Sequence, residues 1–290
     1  MTINPKFKLS RDTSGLTPDN AHNAYWMARL SSLAYASKQS ISDELPKINF
    51  KYLHFIENVE TETQAFMCSS EGVLVMVFRG TEPQKNKDWL TDFKVKKVPF
   101  CDCGRVHRGF KEALESVWHS FMGAYEAIQQ REPLDKLFIT GHSLGGALAA
   151  LATGHLLFEE GILVDAVYTF GQPRVGDATF ASCMHARIGK RFFRFVNAED
   201  IVTKLPLKAL GYTHVGEVFY FDTRGTIYEG EKIWRAVRDV AMDKLDELFT
   251  PGISAFDDHL MDFYIKILAT NVWNGWKIIK RPRSERIASL

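Results

Sequence analysis

A chain of 290 residues that is 46% hydrophobic and 24% charged holds enough apolar material for one large core, so a single domain over residues 1–290 is expected. Its formal net charge of +1 supplies no field for steering toward polyanions, and no block of like charge forms a nucleic-acid-binding arm. No apolar stretch approaches the roughly 18 residues of a membrane span, which leaves nucleic acid and transmembrane segments out of the expectation. The basic start, Met1 to Lys8, runs into polar residues without the apolar centre of a Sec signal. The expected location is the cytoplasm, or outside the cell by another route or after loss of a leader.

Along the chain, Thr17-Pro18-Asp19 precedes Tyr25, Trp26, Ala28, Leu30, Leu33 and Ala34 at near-helical spacing, which predicts an opening helix. Residues 50–56 and 64–68 read as strands, and the unbroken apolar run 73–78 as a buried central strand ending at Arg79-Gly80-Thr81. The polar stretch from Glu82 to Leu90 reads as a solvated loop closed by Trp89. Phe110, Ala113, Leu114, Val117, Trp118, Phe121, Tyr125 and Ile128 mark one face of a long helix. An apolar run, 137–139, then enters Thr140-Gly141-His142-Ser143-Leu144-Gly145-Gly146, and a small-residue run, 147–152, leaves it as a helix. Further strands are expected at 166–170, 192–196 and 215–221. Ile233, Trp234, Val237, Val240, Ala241, Leu245, Leu248 and Phe249 mark a core-packing helix. Asp257-Asp258-His259 opens a last helix containing Phe263, Tyr264 and Ile267, before a solvated basic tail. Strands alternating with helices give an α/β fold with a mainly parallel central sheet and helices on both faces. Its site belongs at the carboxyl ends of the strands, where Thr81, Ser143 and Asp200 fall.

Gly141, Ser143 and Gly145 fit G-x-S-x-G, which holds a serine on a strained strand-to-helix turn with its hydroxyl presented. The helix that follows points unpaired N–H groups at any oxyanion formed there. A serine hydroxyl needs a base, and the base an orienting acid. In such folds they follow in the order serine, acid, histidine. Asp200 fits the acid, with Asp177 as rival and Glu199 and Asp222 behind. Of nine histidines, only His214 and His259 follow Asp200. His142 beside the serine reads as structural, because adjacent side chains diverge. Cys101-Asp102-Cys103 with His107 resembles part of a metal site but lacks a fourth ligand and the usual zinc spacing. The four cysteines are expected as loop thiols (Cys101, Cys103) and buried apolar groups (Cys68, Cys183). No metal or organic cofactor is required.

These motifs together resemble the class 3 lipase family, the group of the fungal Rhizomucor- and Thermomyces-type triacylglycerol lipases with the α/β-hydrolase fold. The resemblance runs from Val73 to Tyr264. It is carried by Phe78-Arg79-Gly80-Thr81, Asp88-Trp89-Leu90-Thr91-Asp92, Val106-His107-Arg108-Gly109-Phe110, the Gly141 to Gly146 elbow, Gly171-Gln172-Pro173-Arg174-Val175-Gly176-Asp177, residues 196–202 and Asp258-His259-Leu260. It implies Ser143 as nucleophile, Asp200 as acid and His259 as base, with Thr81 and the Leu144 N–H as oxyanion donors. Asp92 would brace Thr81 under an open lid that carries Trp89, and Asp177 would be structural.

Residues 82–91 are the expected lid, and here they are polar where the fungal lids are apolar, so activation at an oil surface should be weak. The fungal disulfides have no evident counterpart. Residues 223–256 are expected as a helical insertion near the active-site mouth, and the aromatic partner near His259 is displaced to Phe263 or Tyr264. The acyl groove is expected among Trp89, Leu90, Val202, Leu205 and Leu207. The resemblance implies a serine hydrolase of lipid esters, most of all a triacylglycerol lipase or carboxylesterase, acting on a lipid or other ester with transient contact to a lipid surface. Phospholipase A1 or feruloyl-type esterase activity are the alternatives, and a non-catalytic lipid- or protein-binding module is the competing class. The sequence leaves the oligomeric state open.

Overall fold

The computed structural model describes residues 8–13, 15–17, 21–81, 96–132, 134–197, 200, 202–221, 225–230, 260–276 and 278–279. Helices α1 (Ala21–Leu33) and α2 (Lys38–Glu44) lead into β1 (Lys51–Asn58), β2 (Thr63–Ser70) and β3 (Val73–Phe78). These three strands pair antiparallel. A short hairpin, β4 (Lys97–Pro99) and β5 (Arg105–His107), stands apart from the main sheet. Then β6 (Lys136–His142), β7 (Ala166–Phe170), β8 (Phe192–Asn197) and β9 (Glu217–Phe221) join β3 in a parallel block. Helices α3 (Arg108–Arg131), α4 (Leu144–Phe158) and α5 (Ala178–Ile188) make the connections, and α6 (Met261–Asn274) follows the sheet. This is the mainly parallel, doubly covered sheet that the alternation of elements predicts.

Strand alternation explains the two layers. Leu74, Met76 and Phe78 of β3 pack with Leu114, Val117, Phe121, Leu148 and Leu151 of α3 and α4, while Val73, Val75 and Val77 face the α1 and α6 side with Trp26, Leu30, Tyr264 and Leu268. Every residue of β3 is buried, because a strand sandwiched between helices has no face left for water. The strand edge β1, by contrast, has Lys51, His54 and Glu57 open to solvent.

Part of the chain departs from expectation. Of residues 223–256, Ile227–Glu229 form a strand, β10, antiparallel to β9. It also pairs in parallel with β11 (Ile278–Ile279), which lies just before the basic segment expected as a solvated tail. Strands of two or three residues carry no readable period. The helix expected over 233–249 and the expected lid, 82–91, lie outside the described residues. The thiol reading of Cys103 and Cys183 is also overturned: the two form a disulfide across 80 residues, with Cα atoms 6.1 Å apart. What brings them together is Asp177, which accepts from the Phe180 N–H at 2.9 Å as the cap of α5 and from the Arg105 N–H at 3.1 Å. Cys68 is buried as expected, and burial pushes the half-buried Cys101 thiol up to about 12.

Candidate active site

Ser143 sits between β6 and α4 with φ 56° and ψ −126°, a conformation that costs a non-glycine residue roughly 1–3 kcal/mol and persists only where its surroundings enforce it. Enforcement comes from backbone contact. A β-carbon at Gly145 would lie 2.2 Å from the Phe78 carbonyl oxygen, and one at Gly80 would lie 2.5 Å from the His142 carbonyl oxygen and 3.2 Å from the Ser143 Cβ. The ends of β3 and β6 therefore touch through glycines, and Thr81 follows immediately in the half-buried position beyond. The Ser143 N–H donates to the Phe170 carbonyl at 2.9 Å, which ties the turn to β7 as well. The Ser143 Oγ is buried and has no hydrogen-bond partner among the described residues. Leu144 opens α4, so its N–H is one of the first-turn donors without an intrahelical acceptor.

His142 points away from this chemistry, in keeping with its structural reading. Its Nδ1 lies 2.8 Å from the Tyr35 hydroxyl, just beyond α1, and the Arg79 guanidinium stands 5.7 Å from the centre of the Tyr35 ring. Tyr35 thus touches the ends of both β3 and β6, a role the sequence does not advertise.

Asp200 lies just past β8 and is fully buried. Its Oδ1 accepts from the Val202 N–H at 3.0 Å and its Oδ2 from the Tyr264 hydroxyl at 2.8 Å. The same hydroxyl accepts from the Asn197 N–H at 3.0 Å. Burial and the charge of Asp200 hold the Tyr264 hydroxyl well above its ordinary value, so it remains a donor to the carboxylate throughout the neutral range. Of the two aromatics expected near here, Tyr264 makes the contact and Phe263 is 41% exposed. The loop is braced from below: Thr203 donates its hydroxyl to the Asp200 carbonyl at 2.8 Å, and the Thr203 carbonyl lies 2.9 Å from His214 Nε2. Burial, with Arg194 and Arg174 nearby, holds His214 well below 6.5, so a neutral imidazole donates that bond. Arg194 is buried in the strand sequence Phe192-Phe193-Arg194-Phe195; a charge within a buried apolar run is the signal that sequence reading passed over.

The other expectations sort by position. Asp177 caps α5. His107 caps α3, its Nδ1 accepting from the Phe110 N–H at 3.3 Å, and burial pushes its imidazole down to about 4. With Cys103 in the disulfide, the C-x-C and His107 combination is committed to structure rather than to a metal. Val202 is fully buried core, while Leu207 is 55% exposed rather than enclosed in a groove. His259, Trp89, Leu90, Asp92, Glu199 and Asp222 lie outside the described residues, so the contacts expected of them stay expectations.

Comparison with known proteins follows the same lines. A family model described as Lipase (class 3) matches residues 75–210. Secreted mono- and diacylglycerol lipase 1 of Fusarium solani is 36% identical over 153 residues, 51% of this chain and 44% of that protein. The lipase of Rhizomucor miehei is 31% identical over 211 residues, 71% of this chain and 56% of that one. The chain thus spans about half the length of these curated relatives. The structure of the Rhizomucor miehei lipase with its propeptide superposes with a TM-score of 0.65 at 26% identity, over 78% of this chain and 77% of that one.

Proposed function

Since this chain belongs to the class 3 lipase family with its α/β-hydrolase fold, we propose that it hydrolyses carboxylic esters of lipids through an acyl-enzyme on Ser143. One observation carries the proposal: the strained, buried Ser143 stands at the mouth of α4 on the same sheet end as the carboxylate of Asp200, which Tyr264 and Val202 hold in place.

In the reaction, the Ser143 hydroxyl attacks the ester carbonyl as His259 takes its proton. Asp200 orients the imidazole and stabilises the imidazolium that forms. The oxyanion is bound by Thr81 and the Leu144 N–H at the positive end of α4. Collapse expels the alcohol with the proton from His259, and water, deprotonated by the same imidazole, releases the acid and restores Ser143. Asp92 braces Thr81, and residues 82–91 with Trp89 form the lid. Leu205, beside the acid, lines the acyl path.

Triacylglycerols and their partial esters are the preferred substrates, with phospholipids and feruloyl esters as the alternatives. The Fusarium and Rhizomucor relatives, named as lipases, support the glyceride reading. The Cys103–Cys183 disulfide supports an oxidising compartment and hence export. Among the described residues no helix is long and apolar enough to cross a membrane. The test is release of p-nitrophenol from a butyrate ester, followed by tributyrin and phosphatidylcholine side by side, by wild type and Ser143→Ala. Loss of at least a thousandfold in the variant is expected, and equal rates in the two would remove the enzyme reading.

A further inference from the structure

The segment after Asp200 is fixed through its backbone by residues from three distant parts of the chain. Four successive carbonyls are taken in turn. His214 Nε2 donates to that of Thr203 at 2.9 Å, the Arg174 guanidinium to those of Lys204 and, at 2.9 Å, Pro206, and the Arg174 N–H to that of Leu205 at 2.6 Å. Further on, Lys97 Nζ donates to the carbonyls of Leu210 and Gly211 at 3.1 and 2.9 Å, while resting 4.9 Å from the centre of the Tyr212 ring. Arg174 and His214 share a stiff support: the Thr213 N–H donates to the Gly176 carbonyl at 2.8 Å, and Gly176 also bridges to Val106 of the hairpin.

Of these bonds, the one from His214 lies nearest the acid. Only Thr203 separates the two, for its carbonyl accepts from His214 while its hydroxyl donates to the Asp200 carbonyl at 2.8 Å. The neighbouring Val202 N–H donates to Asp200 Oδ1 at 3.0 Å, so a shift of Thr203 carries the carboxylate with it. Stability alone does not account for a histidine here. Arg194 and Arg174 stand near enough to disfavour its charged form, and its Nδ1 is buried with no hydrogen-bond partner among the described residues. An apolar side chain would escape both penalties, and a lysine or arginine would reach the carbonyl only by adding a third cation. A neutral imidazole supplies the donor without the charge, and local penalties of this kind collect where a site requires them.

We propose that His214 is a positioning residue for the acid, setting through Thr203 the place at which the Asp200 carboxylate meets the base. Its role rests on the serine-hydrolase reading above, in which that base is His259. Of the two histidines that follow Asp200 in sequence, one faces the chemistry and the other holds the acid from behind.

The test is hydrolysis of p-nitrophenyl butyrate across the range in which histidine titrates by wild type, His214→Leu, His214→Gln and Thr203→Val, with Ser143→Ala as the blank. A carboxylate in register raises the pKa of the histidine it orients, and the acid limb of kcat/KM reports that value in the free enzyme. His214→Leu and Thr203→Val should each lower kcat about tenfold with KM within about twofold, and move the acid limb down by about half a pH unit. His214→Gln, whose amide N–H can reach the Thr203 carbonyl, should restore most of the rate and the position of the limb. Thr203→Val is nearly isosteric and decides the matter if His214→Leu does not fold. A lowered Tm with the acid limb unmoved, or wild-type kcat in both His214→Leu and Thr203→Val, would overturn the assignment while leaving the catalytic reading intact. Wild type no faster than Ser143→Ala would instead remove the catalytic reading, and this role with it.

Discussion

Replacing Tyr264 with phenylalanine should lower both stability and turnover while leaving substrate affinity intact. The hydroxyl is fully buried and donates to Asp200 Oδ2 at 2.8 Å while accepting from the Asn197 N–H at 3.0 Å. A hydrogen bond to a charged group contributes about 1.5–3 kcal/mol, and loss of the hydroxyl as an acceptor for the Asn197 N–H adds up to about 1–3 kcal/mol. The two overlap, because both partners relax toward each other, so about 2–4 kcal/mol is expected. At about 2–4 °C per kcal/mol for a chain of this size, Tm should fall by about 5–15 °C. The carboxylate, free to swing by a fraction of an ångström, should no longer hold the base in register, with a loss of about 10- to 100-fold in kcat. KM for p-nitrophenyl butyrate should stay within about twofold, since the hydroxyl touches Asp200 rather than substrate. Phe263→Ser serves as the control, because Phe263 is 41% exposed and should move neither quantity much. A Tyr264→Phe protein with lowered Tm but wild-type kcat would refute the positioning argument.

Asp200→Asn should keep the fold at reduced Tm, because an amide cannot accept at both oxygen positions, and should lose about 10³–10⁴ in kcat; full activity in a p-nitrophenyl butyrate assay would assign the acid elsewhere. Hydrolysis rate against tributyrin concentration should show little jump at the solubility limit, as the polar sequence from Glu82 to Asp88 has little apolar area to gain there, and a steep rise would refute that reasoning. Stability should be full above about pH 6.5 and decline as pH falls toward 4. The unfolded chain protonates His107 near 6.5, whereas the folded chain holds it down to about 4, so acid favours the unfolded state. His107→Asn, which keeps a cap on α3, should flatten the change in Tm between pH 7 and 5; an unchanged slope would acquit this histidine.

What the sequence discloses here is set by how local each signal is. The apolar run of β3, the heptad-like face of α3 and the glycines around Ser143 are local, and each predicts its element and place in the sheet. The Cys103–Cys183 bond spans 80 residues and follows from Asp177 joining the hairpin to α5, a contact that no spacing reveals. His107 shows the same limit: beside two cysteines it suggests a metal, yet its position one residue before a helix makes it a cap. The choice of Tyr264 over Phe263 depends on which face of α6 meets Asp200, and two adjacent aromatics fit a helical pattern equally well. Tyr35 meets His142 across 107 residues, so its part in holding the elbow emerges only in three dimensions.

The loop after Asp200 is grasped by its carbonyls, which every amino acid possesses, and not by its side chains. Exchanging Leu207, Lys208 or Leu210 for other residues therefore leaves the grip of Arg174 and Lys97 intact. Such a segment is cheap to diversify: descendants of this chain can be retuned toward new surroundings there, one residue at a time, without loosening the loop's hold on the sheet.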